Sequence, residues 1–252
     1  MERLPRLTFL GHSTVLIEVA GVRVLTDPVL FDRIGPLRRV AGPVDPALHD
    51  GVDLVLLSHL HLDHLDLRSL RALGPGVELV VPVGAGPLVR RAGFPQVREL
   101  AAGGRADWGS LAVEATPAVH GGFRPPFGPR AAALGYVIEG ADARVYFAGD
   151  TDVFAGMASL APDLDVALLP VWGWGPTLGR GHLDPARAAR ALELLRPRYA
   201  VPIHWGTLWP FGLGRVRTAR LSAPPREFAA RAAASGGGRV LLTAAGDVVT
   251  YR

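Results

Sequence analysis

Short apolar runs alternate with turn residues over the first part of the chain. Three runs of strand length, rich in aliphatic residues, are residues 7–10, 15–19 and 22–26. Gly11 separates the first two, and the pair Ala20-Gly21 separates the second two with the spacing of a tight hairpin. The pattern predicts an antiparallel meander. Residues 31–46, which contain three prolines and two glycines, predict a long irregular loop.

Beyond the meander, apolar runs and helical patterns alternate twice. The first alternation comprises strands 54–57 and 79–81 and helices 67–73 and 87–92. A block of strands follows at residues 97–100, 111–115, 134–139 and 145–148. The second alternation comprises helices 154–160, 185–195 and 226–234 and strands 166–169, 199–202, 240–243 and 248–251. Two such halves predict an α/β fold, an αββα sandwich of two mixed β-sheets flanked by helices.

Composition sets the outer limits of this prediction. With 252 residues, 49% of them hydrophobic, we expect a single domain over residues 1–252 with a sizeable core. The chain lacks cysteine, so disulfides and thiolate ligands are excluded and any metal is held by nitrogen and oxygen. All 27 basic residues are arginine, but the net charge is only +4 and the arginines are spread along the chain. This distribution argues against nucleic acid as a partner.

The sequence also bears on localisation. Its first six residues contain no apolar segment of the kind that precedes a signal cleavage site. No run along the chain approaches the roughly 18 apolar residues that a membrane helix needs. These two observations predict a cytoplasmic protein without an integral membrane segment.

A cluster of histidines and carboxylates follows the buried strand predicted at residues 54–57. Its members are His59, His61, Asp63, His64 and Asp66. A loop at the end of a rigid strand can aim several side chains at one point, and imidazole and carboxylate suit zinc, manganese and iron. The alternative is a solvated polar turn, but no turn requires three of the chain's eight histidines in an alternating pattern. The cluster therefore predicts a metal site.

The spacing within this cluster provides for two metal positions. His59 and His61 point the same way on an extended segment, because side chains two residues apart share a face. Asp63 and His64 follow where the chain turns, and they can face a second position nearby. One loop can thus serve two metals.

Three later residues are candidates for the remaining ligands. His120 stands in a glycine-flanked loop after the predicted strand 111–115, and taken alone it is more typical of a surface histidine than of a ligand. Asp150 follows the strand predicted at residues 145–148, where a carboxylate is also consistent with a helix cap. His204 stands at the end of another predicted buried strand. Each is ambiguous by itself.

The motif His-x-His-x-Asp-His at residues 59–64 resembles the signature of the metallo-β-lactamase superfamily, a fold of two-metal hydrolases. The three later candidates follow in the order of the superfamily's remaining motifs. The resemblance assigns one metal to His59, His61 and His120, the other metal to Asp63, His64 and His204, and a bridging position to Asp150. It implies two divalent metal ions about 3.5–4 Å apart, zinc (Zn) first, with manganese or iron as alternatives.

This ligand set implies hydrolysis by a metal-bridged hydroxide. The pKa of water, about 15.7 in bulk, drops to about 7 on a bound zinc ion, so a hydroxide is available at neutral pH. The resemblance makes Asp63 both a ligand and a catalytic partner of that nucleophile. No serine or cysteine nucleophile is then needed, which suits a chain without cysteine.

Flanking motifs resemble one branch of the superfamily more closely. They are FLGHST at residues 9–14, LTDP at residues 25–28 and GHLDP at residues 181–185. These motifs resemble the group of N-acyl-phosphatidylethanolamine phospholipase D and ascorbate-6-phosphate lactonase. Members of that group act on phosphate-bearing substrates, one by cleaving a phosphodiester and the other by opening a lactone. The resemblance thus implies a small phosphodiester, phosphorylated lactone or ester as the substrate.

Three residues near these motifs are candidates for contacts with the substrate. Arg180 and His182 share a glycine-rich loop before a predicted helix start, where free amides favour an anionic group. We expect His182 to bind phosphate or to donate a proton, unless it only packs its own loop. His12 is a candidate for substrate binding, unless Gly11-His12-Ser13 is simply a turn between two strands.

Tryptophans and one further carboxylate complete the candidates. Trp172 and Trp205 stand beside motif residues, and we expect them to wall a pocket for an apolar part of the substrate. Ordinary loop packing is the alternative for both. Asp66 has two possible roles. Its carboxylate either accepts a hydrogen bond from a metal-binding histidine and so orients it, or caps the helix that follows.

A metal-dependent nuclease and a non-catalytic binding or regulatory module on the same fold are the alternatives to a hydrolase of small molecules. A nuclease is expected to have an added basic surface or an extra substrate-binding domain, and the sequence shows neither. The complete set of candidate ligands favours an enzyme over a binding module.

Overall fold

The computed structural model describes residues 4–141, 143–160, 162–214, 216, 218–236 and 238–251, so residues 1–3 of the amino-terminal segment considered above lie outside the described residues. The strands are β1 (Arg6–Gly11), β2 (Thr14–Val19), β3 (Val22–Thr26), β4 (Arg33–Ile34), β5 (Leu37–Arg39), β6 (Leu54–Leu56), β7 (Glu78–Pro82), β8 (Val97–Leu100), β9 (Arg105–Trp108), β10 (Leu111–Pro117), β11 (Leu134–Glu139), β12 (Arg144–Phe147), β13 (Val166–Pro170), β14 (Tyr199–Ile203), β15 (Leu208–Pro210) and β16 (Arg239–Val240). The α-helices are α1 (Leu67–Leu73), α2 (Gly86–Arg91), α3 (Pro185–Leu195) and α4 (Ala223–Ala234). None of the helices in the described part of the chain is long and apolar enough to cross a membrane.

The first half of the chain forms a six-stranded sheet with the order β1-β2-β3-β6-β7-β8. The first three strands are the predicted antiparallel meander, and β3, β6, β7 and β8 run parallel. Helices α1 and α2 cover one face of this sheet, where Leu70 and Val89 pack with buried side chains of β6 and β7. Helix α1 begins at residue 67 because the carboxylate of Asp66 accepts hydrogen bonds from the backbone amides of Arg68 and Ser69.

The second half forms a seven-stranded sheet with the order β16-β14-β13-β12-β11-β10-β9. Strands β9 to β12 pair antiparallel with one another. Strands β12, β13, β14 and β16 run parallel. Helices α3 and α4 cover its outer face, where Ala188, Leu192 and Phe228 pack with buried side chains of β13. Helix α3 has Pro185 in its first turn, and the carboxylate of Asp184 caps it by accepting from the backbone amide of Arg187.

The inner faces of the two sheets pack against each other. Phe9 and Ile17 from the first sheet lie in one buried apolar cluster with Tyr136, Phe147 and Val201 from the second. Burial of this apolar surface is the main favourable contribution to folding. With helices on both outer faces, this arrangement confirms the predicted αββα sandwich.

Residues 31–46, for which we predicted an irregular loop, contain strands β4 and β5. Strand β5 pairs antiparallel with β15, far along the chain, and the three strands form a separate small sheet with the order β15-β5-β4. The prediction missed all three strands because two- and three-residue strands that contain arginine or proline carry no alternating apolar pattern.

Two other predictions of local structure were wrong, and one further strand was missed. Residues 154–160 form only a 3₁₀ turn at Ala155–Ser159, because so short a segment, with Gly156 near its start, does not nucleate an α-helix. Residues 248–251 form no strand, and Val248 makes a single bridge to Thr8. Strand β9 was not predicted, because its four residues include two charged side chains.

Candidate metal centre

The seven residues predicted as metal ligands lie together at one edge of the sandwich, each beyond the carboxyl end of a strand. His59, His61, Asp63 and His64 follow β6, His120 follows β10, Asp150 follows β12 and His204 follows β14. The loop after β6 turns at His61, whose carbonyl oxygen accepts hydrogen bonds from the backbone amides of His64 and Leu65. Their nitrogen and oxygen atoms belong to overlapping groups, two of which have the division that the resemblance implies, while a further group joins His120 and Asp150 with His182.

His59, His61 and His120 form the first donor group. Nδ1 of His61 lies 3.0 Å from Nε2 of His59 and 3.0 Å from Nε2 of His120. Nitrogens bound to one tetrahedral zinc ion at about 2.0–2.1 Å lie roughly 3.3 Å from each other. The three nitrogens therefore have the spacing of a single metal position.

Asp63, His64 and His204 form the second donor group. The Nε2 atoms of His64 and His204 are 3.0 Å apart, and Oδ2 of Asp63 lies 3.7 Å from each of them. Asp150 lies between the groups, with Oδ2 at 3.1 Å from Nε2 of His64 and 3.9 Å from Nε2 of His120. Its other oxygen, Oδ1, is 3.2 Å from Nε2 of His204. A carboxylate in this position can serve both groups.

The ring nitrogens of His120 and His204 that face away from the centre are held by carbonyl oxygens. Nδ1 of His120 donates to the carbonyl oxygen of Gly181 at 2.8 Å, and Nδ1 of His204 donates to that of Trp172 at 3.0 Å. Because a carbonyl only accepts, Nδ1 of each ring is the donor, and Nε2 is the ring nitrogen directed toward the centre. This is the orientation in which a histidine binds a metal.

A single buried carboxylate supports one histidine from each donor group. Oδ2 of Asp27 lies 2.6 Å from Nδ1 of His64. The hydroxyl of Ser58 donates to the same carboxylate and lies 2.9 Å from Nδ1 of His59. Asp27 therefore orients His64 directly and His59 through Ser58.

The electrostatics of the centre favour a positive charge. Burial lowers the pKa of His120 to about 4, so its ring is neutral at pH 7. Burial acts to raise the pKa of Asp150, but His204 and His64 hold it well below its usual range. Burial acts to lower the pKa of His64, yet the carboxylates of Asp150 and Asp27 hold it well above its usual value. A divalent cation supplies this positive charge, so the donor set fits metal ions held by nitrogen and oxygen.

A cavity of about 510 Å³, which we call the catalytic cavity, opens onto both donor groups. The polar residues of its floor are His61, Asp63, Asp150, His182 and His204. Its walls are mostly apolar and comprise Ile34, Pro36, Leu37, Leu62, Pro125, Trp174, Pro176 and Leu178. No arginine of the described residues lines it. Strands β4 and β5, which the sequence did not predict, thus form part of the wall over the metal centre.

His182 lies in the catalytic cavity, whereas Arg180 does not. Nε2 of His182 is 3.3 Å from Oδ2 of Asp150, and its Nδ1 lies 3.1 Å from the carbonyl oxygen of Arg180. Burial acts to lower the pKa of His182, but the hydrogen bond to Asp150 raises it overall. The exposed side chain of Arg180 lines a neighbouring cavity. The expectation that both residues act in one pocket is therefore corrected, because their side chains leave the loop on opposite sides.

Three other residues predicted to bind substrate also lie outside the catalytic cavity. His12 is fully buried, with Nε2 at 3.0 Å from Oδ2 of Asp63, so it presents no surface to a substrate. Trp205 stacks on Phe9 in the core between the sheets. Trp172 is nearly buried, and its ring faces the neighbouring cavity.

Asp66 caps helix α1, which is the second of the two roles considered for it. Its carboxylate accepts hydrogen bonds from the backbone amides of Arg68 and Ser69 and from the hydroxyl of Ser69. With both oxygens occupied at the start of α1, Asp66 does not orient a histidine. Asp27 has that position.

Sequence reasoning missed one residue of the site, Asp27, and did not single out another, Trp174. Asp27 follows the buried end of β3, and a carboxylate directly behind an apolar run, beside the histidine cluster in the same sheet, was the signal available for it. Trp174 donates from Nε1 to Oδ2 of Asp63 at 3.1 Å. No feature of the sequence separates Trp174 from the other loop tryptophans.

Known proteins are similar to most of this chain. The profile of the beta-lactamase superfamily domain matches residues 22–205. An uncharacterised protein of Mycobacterium tuberculosis is 36% identical over 220 residues, which cover 80% of this chain and 58% of the relative. The chain thus spans less than two thirds of the length of these first relatives. A metal-dependent hydrolase of Aeropyrum pernix is 34% identical over 224 residues, covering 81% of this chain and 84% of that protein.

A further relative and a solved structure resemble the chain over most of its length. The N-acyl-phosphatidylethanolamine-hydrolyzing phospholipase D 1 of Caenorhabditis elegans is 31% identical over 230 residues, which cover 81% of this chain and 64% of that protein. The structure of Igni18, a metallo hydrolase from Ignicoccus hospitalis, superimposes with a TM-score of 0.75 and 26% identity over 98% of both chains. These likenesses agree with the sandwich.

Proposed function

The chain belongs to the metallo-β-lactamase superfamily, and from this premise we propose that it cleaves a small ester, lactone or phosphodiester that has an apolar part. The protein is a metal-dependent hydrolase of this superfamily, with a buried cluster of histidines and aspartates. The observation that carries the proposal is Asp150, which lies between two donor groups on the floor of an apolar cavity.

Two metal positions follow from the two donor groups. In this proposal His59, His61 and His120 hold one divalent ion, Asp63, His64 and His204 hold the other, and Asp150 contributes an oxygen to each. All donors are imidazole nitrogens and carboxylate oxygens, which suit zinc and also manganese or iron. Zinc is the ion that we propose first.

Two divalent ions at these positions would polarise the scissile group and acidify a water molecule. Asp63 is ionised at neutral pH, because burial acts to raise its pKa but His64 and His12 hold it well below its usual range. Its carboxylate therefore accepts a hydrogen bond from the attacking water and orients it. His182, whose pKa is raised, stands beside Asp150 in the same cavity and donates a proton to the leaving group.

The lining of the catalytic cavity restricts the substrate. Apolar walls, with no arginine among the described lining residues, favour an acyl chain or an aromatic ring next to the scissile bond. The C. elegans relative is named for the hydrolysis of N-acyl-phosphatidylethanolamine, a molecule that carries both a phosphodiester and acyl chains. This relative supports a substrate in which a polar scissile bond adjoins an apolar group.

A screen of the metal-loaded protein tests this function. The four classes are phosphodiesters, phosphomonoesters, lactones and acyl esters, each with a short and a long apolar group. We expect hydrolysis in at least one class, faster for the long apolar group, and a loss of about a hundredfold or more in Asp150→Asn. Asp107→Asn, at an exposed carboxylate on β9, is the matched control and should keep the parent activity. Absence of turnover in all classes by fully metal-loaded protein would refute the proposal.

A further inference from the structure

A second cavity, of about 650 Å³, adjoins the catalytic cavity. We call it the arginine groove, because Arg180, Arg187, Arg220 and Arg231 line it. Residues 176–179 belong to the lining of both cavities and form a common wall between them. A molecule that extends over residues 176–179 from one cavity into the other contacts the metal centre at one end and the arginines at the other.

The positive charge of the arginine groove is not balanced. Within the part of the chain that the structure describes, Arg180 and Arg231 have no carboxylate at ion-pair distance. Arg187 pairs with Asp152 at 3.0 Å, and the guanidinium of Arg220 lies 4.5 Å from the ring centre of Trp172. The acids among the lining residues are Asp184, whose carboxylate caps α3, and Glu227. The lining thus has four positive and two negative side chains, and Asp152 offsets the charge of Arg187 from outside the lining.

The segment 179–182 connects the arginine groove with the metal centre. Arg180 directs its side chain into the groove, and His182, two residues later, lies in the catalytic cavity. Nδ1 of His182 is 3.2 Å from the carbonyl oxygen of Gly179. Trp172 also lines the groove, while its carbonyl oxygen accepts a hydrogen bond from Nδ1 of His204. Residues that contact a ligand in the groove are therefore directly linked to residues of the metal centre.

We propose that the arginine groove binds a terminal phosphate of the same substrate whose scissile bond lies over the metal centre. This inference rests on the proposed function and assigns each part of the substrate to a cavity. The catalytic cavity, which no described arginine lines, binds the scissile bond and the apolar part, and the arginine groove binds the charge. A phosphate monoester carries nearly two negative charges at pH 7, which the guanidinium groups of Arg180 and Arg231, unpaired among the described residues, attract, and guanidinium groups bind its oxygens in pairs.

Two nitrophenyl acyl esters of equal chain length test this division, one ending in a methyl group and the other in a phosphate. In the double variant Arg220→Gln/Arg231→Gln we expect the KM of the phosphate ester to rise at least about tenfold, with kcat within about twofold. The methyl ester should be hydrolysed as by the parent protein. Arg190→Gln, an exposed arginine on α3 outside the groove, is the control and should leave both esters unaffected. An equal change for both esters, or no change, would overturn the inference.

A binding measurement separates this inference from the proposed function. Titration calorimetry of the metal-loaded protein with hexyl phosphate should show binding that the double variant weakens about tenfold and Arg190→Gln does not. Binding that depends on Arg220 and Arg231, without hydrolysis of either ester, would support the groove and contradict ester hydrolysis. Hydrolysis of both esters, with hexyl phosphate binding equal in the parent and the double variant, would refute the groove alone.

Discussion

The carboxylate of Asp27 and the imidazole of His64 form a fully buried pair, with Oδ2 at 2.6 Å from Nδ1. Asp27 follows β3 and His64 lies in the loop after β6, so this hydrogen bond joins the ends of two neighbouring parallel strands. The same carboxylate accepts hydrogen bonds from the backbone amide and the hydroxyl of Ser58. Asp27 therefore directs Nε2 of His64 toward the centre from a position behind the donor groups.

The variant Asp27→Asn should bind metal about 10–100-fold more weakly than the parent protein. The amide keeps the shape of the carboxylate, but it lacks the charge that favours a cation, and its NH₂ group faces donors of Ser58 or His64. Competition with a chromogenic chelator measures the affinity. Asp53→Asn is the control. It replaces a carboxylate that also accepts a hydrogen bond from a backbone amide, that of Arg23, and it should leave the metal affinity unchanged. Parent-like affinity in Asp27→Asn would show that the pair does not orient a ligand.

The protein should contain close to two metal ions per chain after gentle purification. Chelation should then lower the Tm by roughly 10 °C, since ligand at about 1,000 times its Kd stabilises a fold by about 4 kcal/mol and 1 kcal/mol corresponds to about 2–4 °C at this size. Without a cation, the carboxylates of Asp27, Asp63 and Asp150 are left around one histidine, each within 3.7 Å of a ring nitrogen of His64. Elemental analysis and thermal melts measure both quantities. A stoichiometry of one under metal-replete conditions would exclude the two-metal mechanism.

The variant Asp63→Asn should lose at least about a hundredfold in turnover while its circular dichroism stays that of the parent. The change removes the negative charge 3.7 Å from Nε2 of both His64 and His204. It also removes the anionic acceptor of the Nε1 hydrogen bond from Trp174. Steady-state kinetics with the best substrate of the screen measures the loss, and near-parent turnover would rule out the role.

The variant His182→Ala should keep the metal content of the parent protein and lose activity. His182 lies 3.3 Å from Asp150 on a separate loop, while the seven proposed ligands fill both donor groups. If His182 protonates the leaving group, the loss of activity should be smaller for substrates whose leaving group is nitrophenolate, because nitrophenolate departs without a proton. If it only binds phosphate, the loss should appear in KM and should be small for uncharged lactones and esters. Loss of a full metal equivalent would place His182 among the ligands.

The variant His12→Leu should lower kcat by about tenfold or more, and His12→Gln should restore much of that loss. His12 is fully buried and lies 3.0 Å from Oδ2 of Asp63, and because a carboxylate only accepts, Nε2 is the donor. Leucine fills the space without a donor, whereas glutamine supplies an amide N–H to the same oxygen. Metal content and kcat are measured together for both variants. Equal activity of the leucine and glutamine variants would show that the hydrogen bond has no role.

Local patterns in the sequence were sufficient to predict the sandwich and the location of the metal cluster. The runs at residues 54–57 and 166–169 predict strands β6 and β13 because hydrophobic periodicity is a property of adjacent residues. The motif at residues 59–64 predicts a metal site because its donors are close along one short loop. The assignment of His120, Asp150 and His204 to the same site came from the resemblance to a family.

Only the tertiary structure decided which side chains surround that centre and which face away from it. Arg180 and His182 are two residues apart, yet one lines the arginine groove and the other the catalytic cavity. Asp27 reaches His64, and β5 pairs with β15, across long stretches of chain. Such contacts depend on how the two sheets pack and where loops turn back over the strand ends. Because that geometry arises from the summed packing of the whole core, no local pattern in the sequence contains it.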